Sequence, residues 1–270
     1  RAIALKAENE CFIAEIETAK DSLHHIEGMD LVTFDGLQTM VTLKKLGICP
    51  PDMDSVLLQF NAIENYNICL EDMSQILLGA GSSKYNADFS IKALRKNEVI
   101  AAASSTDHIR RLFYKVDPYL DTKNKRNLYT LMKEAQPAAS DIILNGLPMN
   151  WDAYNEYIES LKSDTENSKQ ALNEQGRNLG IFRDPTNDRI YTDFLFNQTV
   201  TGRFSSKRPN MQGLNKSFRP FIQAPPGNVL VGADYAQFEV RIAASLANDE
   251  KLLNLLESTD DLYSTLAEPY

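Results

Sequence analysis

The sequence is poor in cysteine and has no long apolar run. Cys11, Cys49 and Cys69 are its three cysteines in 270 residues. An odd number at those spacings matches neither a zinc-ligand pattern nor a disulfide framework, so reduced core thiols in an intracellular protein are expected. No apolar stretch approaches the roughly eighteen residues that a spanning helix needs, and no signal or transit peptide is readable, so no membrane partner is expected. Internal repeats and low-complexity tracts are also missing. The chain opens on Arg1 rather than methionine, which suggests one processed or excerpted from something longer. What is there is a hydrophobic content of 43%, enough at this length for one large or two modest domains.

Negative charge is missing from one place. The formal net charge of −9 weighs against nucleic acid for the chain as a whole. Yet no acidic residue falls between Asp193 and Asp234, whereas Arg203, Lys207, Arg208, Lys216 and Arg219 all do. Such a tract can neutralise phosphates whatever the distant surface carries. A solvated basic loop is the other reading. The tract ends at Asp234, inside "VLVGADYAQFEVRIAASLAND", residues 229–249. Val229, Leu230 and Val231 read as a buried strand and the residues after Asp234 as a helix. A carboxylate at the inner end of a buried strand needs a cation, a metal ion or convergent donors.

Elsewhere the pattern divides the chain in three. Residues 1–118 alternate short apolar runs ("AIAL", "CFIAEI", "DLVTF") with helical patterns. In "DGLQTMVTLKKLGI", Leu37, Met40 and Val41 share a face and Gly47 is a natural stop. Residues 119–190 turn helical: "NKRNLYTLMKEAQPAASDIILNG" is expected to be interrupted at Pro137 and to end at Asn145-Gly146, and "WDAYNEYIESLKSDTENSKQALNEQ" follows with Asp152 near its start. This section reads as a stalk. Residues 191–270 carry strand-like runs and the final strand and helix, after a Pro-Thr-Asn-Asp turn at 185–188.

"TGRFSSKRPNMQ", followed some twenty residues later by "DYAQFEVRIAASLAND", resembles the palm of family A (polymerase I type) DNA polymerases, which carries T-G-R-L-S-S-x-x-P-N-L-Q and then D-Y-S-Q-I-E-L-R. "FRPFIQAP" lies between the two, where the family has a similar Arg-containing strand. Ala236 and Phe238 depart from the pattern at positions without charge chemistry. The resemblance implies deoxynucleotidyl transfer to a primer 3′-hydroxyl by two Mg²⁺ ions held by carboxylates. Asp234 is then a metal ligand, the Tyr235 carbonyl faces a metal, and Glu239 crowds the sugar 2′ position. Arg203 matches the arginine that reaches the minor groove near the primer terminus, and Asn210 and Gln212 match residues that contact the duplex. Lys207, Arg208, Lys216 and Arg219 are phosphate or solvent residues. Arg241 is chiefly a structural ion-pair partner.

Residues 1–118 resemble the 3′-5′ exonuclease domain found ahead of such polymerases, whose active form holds two metals with D-x-E, N-x-x-x-D and Y-x-x-x-D. The second motif falls on Asp35 to Thr39, so threonine stands for the aspartate. The third falls on Ala103 to Asp107, which keeps the acid and loses the tyrosine. For the first, "KAE" puts Lys6 where an aspartate belongs and Glu8 in place. Threonine and lysine cannot replace anionic oxygen donors around hard cations.

The implied architecture is α/β: a ribonuclease H-like, exonuclease-type domain without its chemistry (1–118), a helical stalk or reduced thumb (119–190), and the first part of a polymerase palm (191–270). The implied partners are primer-template DNA, deoxynucleoside triphosphates, and the remaining palm and fingers, in a longer polypeptide or a second subunit. The expected setting is cytoplasm or nucleoid. Two other readings stand beside this one: a DNA-binding remnant without catalysis, and a single-subunit RNA polymerase, against which Glu239 argues.

Overall fold

The structure is a computed structural model that describes residues 2–7, 10–15, 20–79, 96–163, 179–196, 199, 201–259 and 262–267. Two compact units divide the chain, Arg1–Gln223 and Ala224–Tyr270.

In the first unit, β1 (Ala2–Ala7) and β2 (Glu10–Glu15) pair antiparallel. Strand β3 (Leu31–Thr33) pairs parallel with β4 (Met53–Ser55), and α1 (Gly36–Lys45) makes the crossover that a parallel pair requires. Helix α1 buries Leu37, Met40 and Val41 on one face, as the spacing predicts, and Gly47 ends it at φ 77°. Asp35 caps its start, accepting from the Gln38 amide at 3.1 Å. The buried Ser55 hydroxyl ties three elements together: it donates to the Phe34 carbonyl, accepts from the Gly36 amide, and caps α2 (Val56–Glu64) through the Leu58 amide.

Helices α3 (Leu70–Leu78) and α4 (Lys96–Val116) follow, then α5 (Lys123–Asn145). Pro137 does not interrupt α5. A proline there removes the amide that would bond the Lys133 carbonyl, and the Gln136 side-chain amide reaches that carbonyl instead, at 3.5 Å. Gly146, at φ 60°, ends the helix as expected. Helix α5, within the segment read as a stalk, is packed: Tyr129, Met132, Ala139 and Ile143 lie in one core with Leu37, Val41, Leu58, Ala62 and Phe196. Their 3-7-4 spacing is the stripe by which a helix enters a core.

Short β5 (Leu147–Pro148) leads to α6 (Trp151–Ser163); the remainder of that predicted helix lies outside the described residues. Strand β6 (Arg189–Ile190) pairs with β5. The turn before it forms as the sequence predicts, with Asp184 accepting from the Thr186 amide at 2.8 Å. A second, aromatic core gathers Trp151, Tyr154, Ile190, Leu214 and Phe218. Strand β7 (Asp193–Leu195) pairs antiparallel with β8 (Ser205–Lys207).

The second unit holds α7 (Phe238–Ala247), α8 (Glu250–Ser258) and α9 (Leu262–Ala267) around Ala244, Leu256 and Leu262. Asn248, at φ 52°, turns the chain between the first two, and Asp249 caps α8 through the Leu252 amide. The mixed, helix-rich α/β character agrees with the sequence reading.

Two further expectations fail. Cys49 and Cys69 are free but exposed, not core thiols; the Cys69 sulfur caps α3 through the Asp72 amide. Cys11 lies outside the described side chains. Residues 229–231 form no strand: Val229, Leu230 and Val231 are 81%, 60% and 89% exposed. A strand forms only against a hydrogen-bonding neighbour, and none pairs with them among the described residues. Among the described residues, no helix is long and apolar enough to cross a membrane.

Candidate nucleic-acid interface and carboxylate site

The basic tract is carried on the β7–β8 hairpin and the loop after it. Phe196 anchors the end of β7 in the helical core, and its ring meets that of Phe204 at 4.6 Å, closing the excursion that carries Gly202 and Arg203. Arg203 is exposed, and its backbone amide donates to the Thr199 hydroxyl at 2.8 Å. Asp193 and Arg208 pair across the base of the hairpin, with Nε and Nη2 at 2.8 and 2.6 Å from one carboxylate oxygen. The buried Thr192 hydroxyl lies 3.1 Å from the Lys207 carbonyl and 2.7 Å from that of Pro209. Lys207 and Lys216 are exposed.

Asn210 and Gln212 are both exposed, and both are stitched into the loop. Asn210 Oδ1 accepts from Ser206 Oγ at 3.3 Å and from the Gly213 amide at 3.0 Å. The Gln212 backbone amide donates to Ser206 Oγ at 3.2 Å, and its Nε2 donates to the Phe204 carbonyl at 3.1 Å. Met211 and Leu214 root the same loop in the aromatic core.

In the second unit, Asp234 stands on exposed irregular backbone, not at the end of a buried strand. The question of what offsets a buried charge therefore does not arise there. Tyr235 is exposed, its ring 5.2 Å from that of Phe238. Gln237, at φ 52°, turns the chain into α7, and Glu239 lies in that helix's first turn, where a carboxylate suits the helix dipole. Arg241 donates to the carbonyls of Ala236 at 3.0 Å and Leu256 at 2.9 Å. The sequence reading makes it an ion-pair partner; these bonds go to backbone oxygen rather than to a carboxylate. They hold the stretch after Asp234 against the end of α8.

A cleft of about 630 Å³ opens between β1, β3, α1 and α4, and Lys6, Asp35 and Thr39 line it together. Lys6 Nζ sits 2.8 Å from Asp107 Oδ1, with guanidinium nitrogens of Arg110 and Arg111 at 3.7 and 3.9 Å from the same carboxylate. The Lys6 ammonium holds the Asp107 carboxyl below its ordinary value. Burial pushes Asp35 up, against the hydrogen bonds it accepts as a cap. The Thr39 hydroxyl is turned onto the Asp35 carbonyl at 2.8 Å. Ala103 lies one turn before Asp107 on α4 and is not among the lining residues. Glu8 lies outside the described residues. An ammonium thus stands against Asp107, the acid expected of the third motif, and among the described residues no cluster of three or more metal-binding side chains exists.

Residues 94–270 match the profile of DNA polymerase family A. The chain belongs to that family. DNA polymerase I of Caldicellulosiruptor bescii is 35% identical over 89 residues, 31% of this chain and 10% of that protein. DNA polymerase I of Aquifex aeolicus is 36% identical over 77 residues, 28% of this chain and 13% of that protein. The fold is that of the POL domain of Pol1 from M. smegmatis, solved in complex with DNA primer-template and dNTP: TM-score 0.72 at 14% identity, over 92% of this chain and 56% of that one. The family match contains both the hairpin loop and the Asp234 segment.

Sequence reasoning missed Thr192, Ser206 and the Lys6–Asp107 contact. Ser206 stood in the quoted motif as one of two adjacent serines, and nothing local says which one turns inward. Strand alternation is the usable signal: in β8, Ser206 is buried and its neighbours are not.

Proposed function

We propose that this chain is the part of a template-directed DNA polymerase that carries the first catalytic carboxylate and a duplex-contacting hairpin, preceded by an exonuclease-like region without exonuclease chemistry. The observation that carries the reading is an exposed Asp234 directly before α7 within the family match. The Asp234 carboxylate and the Tyr235 carbonyl are hard oxygen donors. They suit Mg²⁺, which keeps several waters and takes only one or two carboxylates. When bound, Mg²⁺ supplies neutralisation of the charge that develops on a transferring phosphoryl group. Asp234 would hold the ion, with the Tyr235 carbonyl beside it. Arg241, by fixing the Ala236 carbonyl, holds the backbone that presents Asp234. Glu239 limits space for a sugar 2′-hydroxyl and so favours deoxynucleotides. Arg203, Asn210 and Gln212 meet the duplex, and Lys207 and Lys216 its phosphates. Arg208 contributes less, because Asp193 already offsets its charge.

In the polymerase that carries this chain, Asp234→Asn should lower single-turnover nucleotide addition by on the order of a hundredfold or more, and leave primer-template affinity and melting temperature nearly unchanged. Lost stability with activity per folded molecule preserved would make Asp234 a structural carboxylate instead. Full retention of activity would favour the non-catalytic DNA-binding reading.

A further inference from the structure

Asn210 is exposed at the side chain but is not loose. Its amide has one oxygen and one NH₂ group, and the environment decides which faces out. The Gly213 amide is a donor only, so the Asn210 atom 3.0 Å from it is the carbonyl oxygen. Ser206, 6% exposed, adds a second donor to that oxygen while accepting from the Gln212 backbone. Both fixed partners therefore draw Oδ1 inward and leave Nδ2 facing solvent. Gln212 is used the other way, spending an amide N–H on the Phe204 carbonyl.

We propose that Ser206 is a positioning residue that, with the Gly213 amide, locks Asn210 as an outward hydrogen-bond donor for the minor-groove acceptors of duplex DNA. Every base pair presents N3 or O2 acceptors in that groove, so a fixed donor meets a correct pair of any sequence. Holding the amide beforehand removes the rotamer cost of choosing that orientation on binding. This rests on the duplex-binding reading above. It adds which group of Asn210 is used, and what fixes it.

The test measures affinity for a primer-template duplex with adenine, and for the same duplex with 3-deazaadenine, which lacks the minor-groove acceptor, substituted in turn near the primer terminus. Wild type should bind the deaza duplex about 3- to 10-fold more weakly at one position, the range of one hydrogen bond. Asn210→Asp keeps the inward oxygen and replaces the outward donor with an acceptor; it should bind more weakly and show no deaza penalty. Ser206→Ala should shrink the penalty, and Ser206→Thr, which keeps the hydroxyl, should restore it. A purely structural Ser206 would lower the melting temperature and leave the penalty intact. Wild-type duplex binding that Arg203→Ala weakens, with no deaza penalty at any position, overturns this inference and leaves the functional reading standing. No duplex binding by wild type overturns both.

Discussion

Lys6 stands against Asp107 and lowers the pH at which its carboxyl takes up a proton, so that contact has a pH signature. Its folded pKa lies below the ordinary value of 3.8, so the pair's contribution is fully present above that value and is lost as pH falls through the folded pKa. Both side chains are partly exposed, which limits the contribution to below about 1 kcal/mol. Lys6→Met should therefore melt slightly lower than wild type at neutral pH, and the two should converge in melting scans below pH 3.8. A gap that persists or widens in acid would assign the loss to packing of the lysine stem. Glu239 offers a second test at this scale. Glu239→Ala should raise ribonucleotide incorporation and spare much of the deoxynucleotide rate in paired incorporation assays; unchanged sugar discrimination would remove it from the site.

The junction of α1 with α5 leaves no room for a side chain at Gly36. A Cβ added at Gly36 would lie 2.1 Å from Gln136 Oε1, and Gln136 is 1% exposed, so its amide has nowhere to go. Gly36→Ala should cost about 1–3 kcal/mol, read as a lower urea midpoint with unchanged slope. Gln136 also offsets the bond that Pro137 removes, which is why a breaker sits in an unbroken helix. Pro137→Ala should be tolerated or stabilising; a loss above about 1 kcal/mol in the same titration would show that the ring itself is a packing element. Ser55→Ala removes the α2 cap and the bonds to the Phe34 carbonyl and the Gly36 amide, and should cost about 1–2 kcal/mol.

At the scale of the molecule, acidic overall charge and local basic charge make opposite forecasts. If the hairpin governs contact with DNA, affinity should fall steeply with salt and depend little on sequence, and Arg203→Ala should weaken binding and flatten the slope. A flat response to salt, or strong preference among duplexes in competition, would exclude phosphate contact as the source of affinity. The cleft on β1 and α1 makes a negative forecast. On the proposed reading, in which Lys6 and Thr39 stand where an active exonuclease has anionic ligands, this chain should release no nucleotides from single-stranded DNA in Mg²⁺ or Mn²⁺; release abolished by Asp107→Asn would refute the loss of chemistry.

Features that depend on near neighbours or on composition were legible along the chain. These are the α1 stripe with its Gly47 stop, the end of α5 at Gly146, the turn at 185–188, the basic tract, and the two motifs that point to the family. Caps, turns and periodicity are set within a few residues, so they are readable along a line. Tertiary structure decided the rest. Apolar residues 229–231 read as buried because a run of valine and leucine reports hydrophobicity, not whether a neighbouring strand is there to receive it. Pro137 read as a break because the amide that offsets it is spent in three dimensions. Lys6 meets Asp107 across 101 residues, a distance at which no local pattern carries information. The outward face of Asn210 depends on a hydroxyl and a backbone amide brought together by the hairpin, because the direction of a hydrogen bond is a property of the fold and not of the residue.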